Sequence, residues 1–201
     1  MENLSKDSLK KNPEFPKDRL EICISGSGGQ GILLAGIVLA KAALREGKNA
    51  TQTQSYGPES RGGASRCEVV ISRGEIDYPK IMKIDLLLAL TQEALQKQLP
   101  NLRQDGSTIY DSVFVKEPPP GLKNFLAVPF TQIAIEKFQN VLVANMVALG
   151  ALVGISHVVS RETVKTTLLS SVRQNFQEIN LKALQRGFEE ADRYLAEKEK
   201  K

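Results

Sequence analysis

Six consecutive residues, Gly26-Ser27-Gly28-Gly29-Gln30-Gly31, have the types and spacing that suit an anion. They follow a short apolar run, LEICIS at 20–25, and precede ILLAGIVLAKAALREG, whose apolar residues recur at helical spacing. A G-x-G-x-x-G pattern carries meaning in this strand–loop–helix setting. One glycine permits the tight exit from the strand. A second lets backbone N–H groups approach a phosphate with no Cβ in the way, and the third lets helix and strand pack closely. The start of the helix adds unpaired N–H donors and a partial positive charge. The competing reading keeps these glycines for packing alone.

A second loop, Tyr56-Gly57-Pro58-Glu59-Ser60-Arg61-Gly62-Gly63, follows the next strand and is expected to emerge at the same end of the sheet. Arg61 offers a planar, permanently charged fork to a phosphate or carboxylate, and Gly62 and Gly63 offer bare backbone. Alternatively this is a surface loop whose Arg61 pairs with Glu59. A dinucleotide dehydrogenase would also carry an acid near the end of its second strand, for the ribose. Thr53 and Gln54 stand there instead, and Glu46 falls earlier, at the helix end. No G-x-x-x-x-G-K-S/T run exists, which excludes an ordinary P-loop triphosphatase.

The elements that must position these loops alternate between strand and helix. Strands are expected at 20–25, 49–54, 65–74, 84–90, 107–111 and 124–129. The continuous apolar run IDLLLAL at 84–90 marks a parallel strand covered on both faces. TQEALQKQL reads as a short helix ended by Pro100. Beyond Thr131 the pattern is helical: a turn over IAIEKF, a helix at 141–154, then two amphipathic helices. The expected fold is α/β, a Rossmann-like, mostly parallel sheet flanked by helices, with a helical C-terminal portion. Residues 1–19 read as a polar arm and 20–201 as one domain. The 141–154 helix is apolar around its whole circumference, so it is buried on all sides. Gly150 and Gly154 permit a second helix to come close, either within this chain or from another subunit. His157 reads as a structural residue.

Composition removes several classes. The chain has 201 residues, 27 Lys plus Arg against 23 Asp plus Glu, and a net charge of +4. No concentrated basic face interleaved with aromatics supports nucleic-acid binding. Two cysteines and one histidine cannot ligate an iron–sulfur cluster or a tetrahedral zinc ion. No metal-ligating residue is therefore assigned to this chain. The N-terminal stretch lacks the apolar region of a signal peptide. The apolar stretch 141–159 is interrupted by Asn145, Ser156 and His157, so no membrane span is expected. Free thiols point to a reducing compartment.

GSGGQGILLAG, then TQTQSYGPESRGGASRCEVVIS, then EIDYP, and later NMVALGALVG, resemble the gamma subunit of 2-oxoacid:ferredoxin oxidoreductases. The likeness runs over residues 20–190, and SYGPESRGG with EIDYP is most similar to the 2-oxoglutarate branch. The pyruvate, branched-chain and indolepyruvate branches share the first glycine loop and much of the second. The resemblance implies oxidative decarboxylation of a 2-oxo acid with coenzyme A, giving an acyl-CoA, carbon dioxide and reduced ferredoxin. It places thiamine diphosphate and Mg²⁺ on alpha and beta subunits, and 4Fe–4S clusters on the beta subunit and a ferredoxin-like delta subunit. The gamma chain is then not catalytic alone and works in the cytoplasm; a homodimer of the isolated chain stays open. What the resemblance leaves to this chain is coenzyme A binding and assembly. Gly26, Gly28, Gly29 and Gly31 would give backbone donors, Ser27 and Gln30 side-chain contacts, and Tyr56, Arg61, Gly62 and Gly63 a second wall. A pure scaffold, with both loops on partner subunits, and a free-standing dehydrogenase are the competing readings.

Overall fold

The computed structural model describes residues 18–56, 64–120, 122 and 124–200, so nearly all of the expected arm, and residues 57–63 of the second loop, lie outside the described residues. Among the described residues six strands and six α-helices follow in order: β1 (Arg19–Ser27), α1 (Ile32–Arg45), β2 (Asn49–Tyr56), β3 (Ala64–Ser72), β4 (Ile84–Ala89), α2 (Gln92–Gln98), β5 (Leu102–Asp111), β6 (Phe125–Val128), α3 (Phe130–Phe138), α4 (Ala144–Ser156), α5 (Arg161–Leu169) and α6 (Gln174–Lys198).

The strands form one sheet in the order β2-β3-β1-β4-β5-β6. β1, β4, β5 and β6 run parallel, while β3 lies antiparallel between β1 and β2. The sheet is thus mostly parallel, as expected. β3 turns back because the link from β2 is too short for a parallel crossover, which needs a dozen or more residues. That inserted strand separates β1 from β2, a departure from the Rossmann arrangement.

Alternation along β1 sends Ile22 and Ile24 to one face and Cys23 to the other. The first face packs on Val38 and Leu39 of α1 and on Met146 and Leu149 of α4. The second packs on Leu95 of α2 and on Val115. α1 and α2 therefore lie on opposite faces of the sheet. Leu86, Leu87 and Leu88 of β4 are all fully buried, which explains its unbroken apolar run.

The Glu21 carboxylate is one of several groups that fasten the segment crossing from β3 to β4. Glu21 accepts from Met82 N–H (2.7 Å), Lys83 N–H (2.9 Å) and Arg19 Nε (2.8 Å). Burial pushes the Glu21 carboxyl up, but these donors hold it below its ordinary value.

α4 lies inside the chain's own core and packs along α6. A Cβ on Gly150 would run into Leu184 O, and one on Gly187 would run into Val147 O. The helix expected at 141–154 resolves into a 3-10 turn over Val141–Val143 followed by α4. The expected single turn near IAIEKF is a full helix, α3. Its start is capped from another strand: Asp111 Oδ2 accepts from Thr131 N–H (3.0 Å) and Thr131 Oγ1 (2.6 Å). No local sequence signal carries that cap.

Candidate functional site

β1 leads into α1 on one face of the sheet and β4 leads into α2 on the other. Open α/β sheets bind ligands beyond the carboxyl ends of such strands, and the first glycine loop lies there. Leu90 N–H donates to Ser25 O (2.8 Å), tying the two strand exits together. Gly26 is still part of the sheet, opposite Ser65, and a side chain there would meet Ile32 Cδ1 at 2.9 Å and Leu90 Cβ at 3.0 Å. Its job is close packing. Gly28 and Gly29 are exposed at the tip. Gly29 has φ +91°, with nothing within 4 Å of the Cβ it lacks.

The loop is braced from within. Gln30 Oε1 accepts from Ser27 N–H (2.7 Å), and Gln30 N–H donates to Ser27 O (3.3 Å). The Gln30 side-chain oxygen is thereby occupied by the loop's own backbone. Gly31 is the N-cap of α1 with φ 70° and ψ 21°. The first intrahelical bond runs from Ala35 N–H to Gly31 O (3.2 Å). The amides of Ile32, Leu33 and Leu34 consequently have no intrahelical acceptor, and the first turn carries no acidic side chain to oppose an anion.

Residues 57–63 lie outside the described residues, among them Arg61, Gly62 and Gly63, as does the side chain of Tyr56. The flanks of that segment are described. Ser27 pairs with Ala64, and Tyr56 with Ser65, so both ends of the second loop reach the exit of the first.

Asn145 was read in the sequence only as a polar interruption of an apolar stretch. In the structure it belongs to the site. Its Nδ2 donates to Gly31 O (3.1 Å), joining the first turn of α4 to the N-terminus of α1. The available signal was a carboxamide in the opening turn of an otherwise apolar helix.

Burial pushes the Cys23 thiol up to about 12, and burial also raises Cys67, whose Sγ accepts from Gln52 Nε2 (3.2 Å). His157 closes α4 with φ 49°; burial first, and then the Arg161 charge, lower its pKa. Among the described residues no group of three or more His, Cys, Asp or Glu is placed to hold a metal. Two buried cysteines do not fit an iron–sulfur cluster. No helix among them is long and apolar enough to cross a membrane. The dinucleotide reading loses its second requirement too. β2 is not beside β1, and Thr53 Oγ1 donates to Glu68 Oε2 (3.1 Å) across to β3, where that carboxylate also pairs with Arg66.

Residues 21–190 match the family model described as pyruvate ferredoxin/flavodoxin oxidoreductase. The chain belongs to that family. It is 45% identical over 183 residues to the 2-oxoglutarate synthase subunit KorC of Methanocaldococcus jannaschii, covering 90% of this chain and 98% of the relative. Among solved structures it is similar to a keto/oxoacid ferredoxin oxidoreductase gamma subunit from Geobacter sulfurreducens. That match has a TM-score of 0.77 and 46% identity, and covers 86% of this chain and 98% of the other. A second is the 2-oxoglutarate:ferredoxin oxidoreductase from Magnetococcus marinus, solved with 2-oxoglutarate, coenzyme A and succinyl-CoA bound. Its TM-score is also 0.77, at 26% identity over 88% of this chain and 31% of that one. As a member of the pyruvate ferredoxin/flavodoxin oxidoreductase family, the chain is an oxidoreductase subunit whose relatives assemble from several subunits or domains.

Proposed function

We propose that this chain is the gamma subunit of a 2-oxoglutarate:ferredoxin oxidoreductase and that its glycine-loop crevice holds coenzyme A. The complex converts 2-oxoglutarate and coenzyme A to succinyl-CoA and carbon dioxide, and the electrons released pass to oxidised ferredoxin. The observation that carries the role of this chain is the α1 N-terminus, with an exposed glycine tip, three first-turn amides lacking intrahelical acceptors and no acid in that turn. Such a terminus suits the pyrophosphate of coenzyme A. Gly28, Gly29 and Gly31 supply backbone, Gly26 and Gln30 shape the turn, and Ser27 flanks it. Arg61 of the second loop is assigned a phosphate, and Tyr56, Gly62 and Gly63 the same ligand.

Thiamine diphosphate, Mg²⁺ and the 4Fe–4S clusters belong to the alpha, beta and delta partners, and residues 20–201 act as one domain in the cytoplasm. Val141 and Leu142, which are 51% and 66% exposed, immediately precede α4 and its Asn145–Gly31 contact. Apolar side chains left open at the ligand end support a partner subunit seated there.

In the assembled complex, Arg61→Ala should raise the KM for coenzyme A about tenfold and leave the KM for 2-oxoglutarate nearly unchanged, as expected for a charged hydrogen bond. An unchanged coenzyme A KM would remove the role of Arg61. Faster turnover of pyruvate than of 2-oxoglutarate would remove the branch.

A further inference from the structure

Asn145 is 4% exposed, and the residues that follow it in α4, from Met146 to Gly154, are apolar and buried. Its carboxamide lies against Gly31 so closely that a Cβ on that glycine would sit 2.9 Å from Asn145 Cγ. Nδ2 has its partner in Gly31 O. Oδ1, on the same carbon, is buried with no hydrogen-bond partner. Turning the amide over does not help, since it would set Oδ1 against the Gly31 carbonyl oxygen. A buried carbonyl oxygen left unpaired is costly, and this one lies beside Gly31, the N-cap of α1.

We propose that Asn145 Oδ1 is a ligand acceptor of the glycine-loop site, taking an O–H or amide N–H from the ligand segment that follows its phosphates. This rests on the coenzyme A reading above. A phosphate dianion has no donor to give, so Oδ1 does not address the phosphates themselves. In coenzyme A the donor nearest the pyrophosphate is the hydroxyl of the pantetheine arm, with that arm's first amide N–H and the ribose 2′-hydroxyl next; adenosine 3′,5′-bisphosphate carries the ribose donor and lacks the arm. Asn145 thus sets the direction in which the ligand leaves the loop, with the thiol-bearing arm passing the start of α4.

The test measures dissociation constants on the assembled complex, without 2-oxo acid, for coenzyme A, 4′-phosphopantetheine and adenosine 3′,5′-bisphosphate. Asn145→Leu should weaken the first two about threefold to tenfold and change the bisphosphate by less than about twofold, the scale of one hydrogen bond. Asn145→Asp keeps an acceptor but gives up the bond to Gly31 O, and its added charge opposes every phosphate probe. It should preserve the wild-type ratio between phosphopantetheine and bisphosphate, and it carries the test if the leucine variant fails to fold. Equal weakening of all three probes by Asn145→Leu would mean that Asn145 only props the loop, and no weakening would mean that it does neither; both overturn the proposal and leave the coenzyme A reading standing. If the wild-type complex binds coenzyme A with no loss on Gly29→Ala or Arg61→Ala, the site reading itself fails, and this inference with it.

Discussion

The glycines of the α1 loop and those between α4 and α6 are the same residue used for opposite physical reasons. At the loop, Gly29 and Gly31 take positive φ values of 91° and 70°, and the tip faces outward with open space beside it. Between the helices, Gly150 and Gly187 carry no positive φ, but each stands where the neighbouring helix backbone would meet a side chain. Gly28 and Gly29 leave exposed backbone at the tip, while Gly26 and Gly31 make room for Leu90 and Asn145. The helix glycines let the fold close on itself. A glycine count or a four-residue spacing does not separate the two; the deciding quantity is what occupies the space where the Cβ would be.

Substitution at each region should separate the two uses. The largest effect is expected from Gly187→Ala, which forces apart two helices in backbone contact and should cost about 3 kcal/mol or more; chemical denaturation would measure it. Gly31→Ala combines an αL conformation with displacement of Asn145, and should cost about 2 kcal/mol. It should also raise the apparent coenzyme A constant, which Gly187→Ala should not do in whatever fraction stays folded. Gly29→Ala meets no neighbour, so only the backbone conformation is penalised, about 1 kcal/mol. A loss of ligand affinity larger than that stability loss would mark Gly29 as a ligand-facing residue.

A smaller effect concerns the C-terminal end of α4. The lowered pKa of His157 means that the folded chain binds fewer protons than the unfolded chain around and below the ordinary value of 6.5. Stability should therefore decline as pH falls through that value. Asn also tolerates the left-handed conformation, so His157→Asn should match wild type at neutral pH and show a shallower acid decline in thermal melts. No effect at all is expected from iodoacetamide on the folded chain at mildly alkaline pH, because Cys23 and Cys67 are buried, protonated thiols; mass spectrometry would show any adduct.

Much of this was legible from residue order. The LEICIS strand, the glycine loop and the following helix stand where the pattern put them, since hydrophobic periodicity and glycine punctuation are local signals. The apolar 84–90 run was correctly a strand covered on both faces. Less was legible where the partner lay far along the chain. The full length of α3 depends on the cap from Asp111, twenty residues upstream. The reach of β5 back to Leu102 depends on pairing with Ile84 of β4. Asn145 reaches Gly31 across 114 residues, so the sequence showed a flaw in an apolar helix and not a member of the site.

Residue order by itself determined the α/β class, the strand–glycine loop–helix unit, the lack of cluster ligands and the family resemblance, because each depends on neighbours in sequence or on composition. Tertiary structure decided three further things. It placed β3 between β1 and β2, which removes the ribose-binding partner of a dehydrogenase. It buried the Gly150 face against α6, which turns a candidate subunit contact into core. It set Asn145 beside the loop with a free acceptor. The physical reason is common to all three: whether a polar group or a missing side chain serves packing or binding depends on which atoms fill the space next to it, and those atoms come from distant parts of the chain.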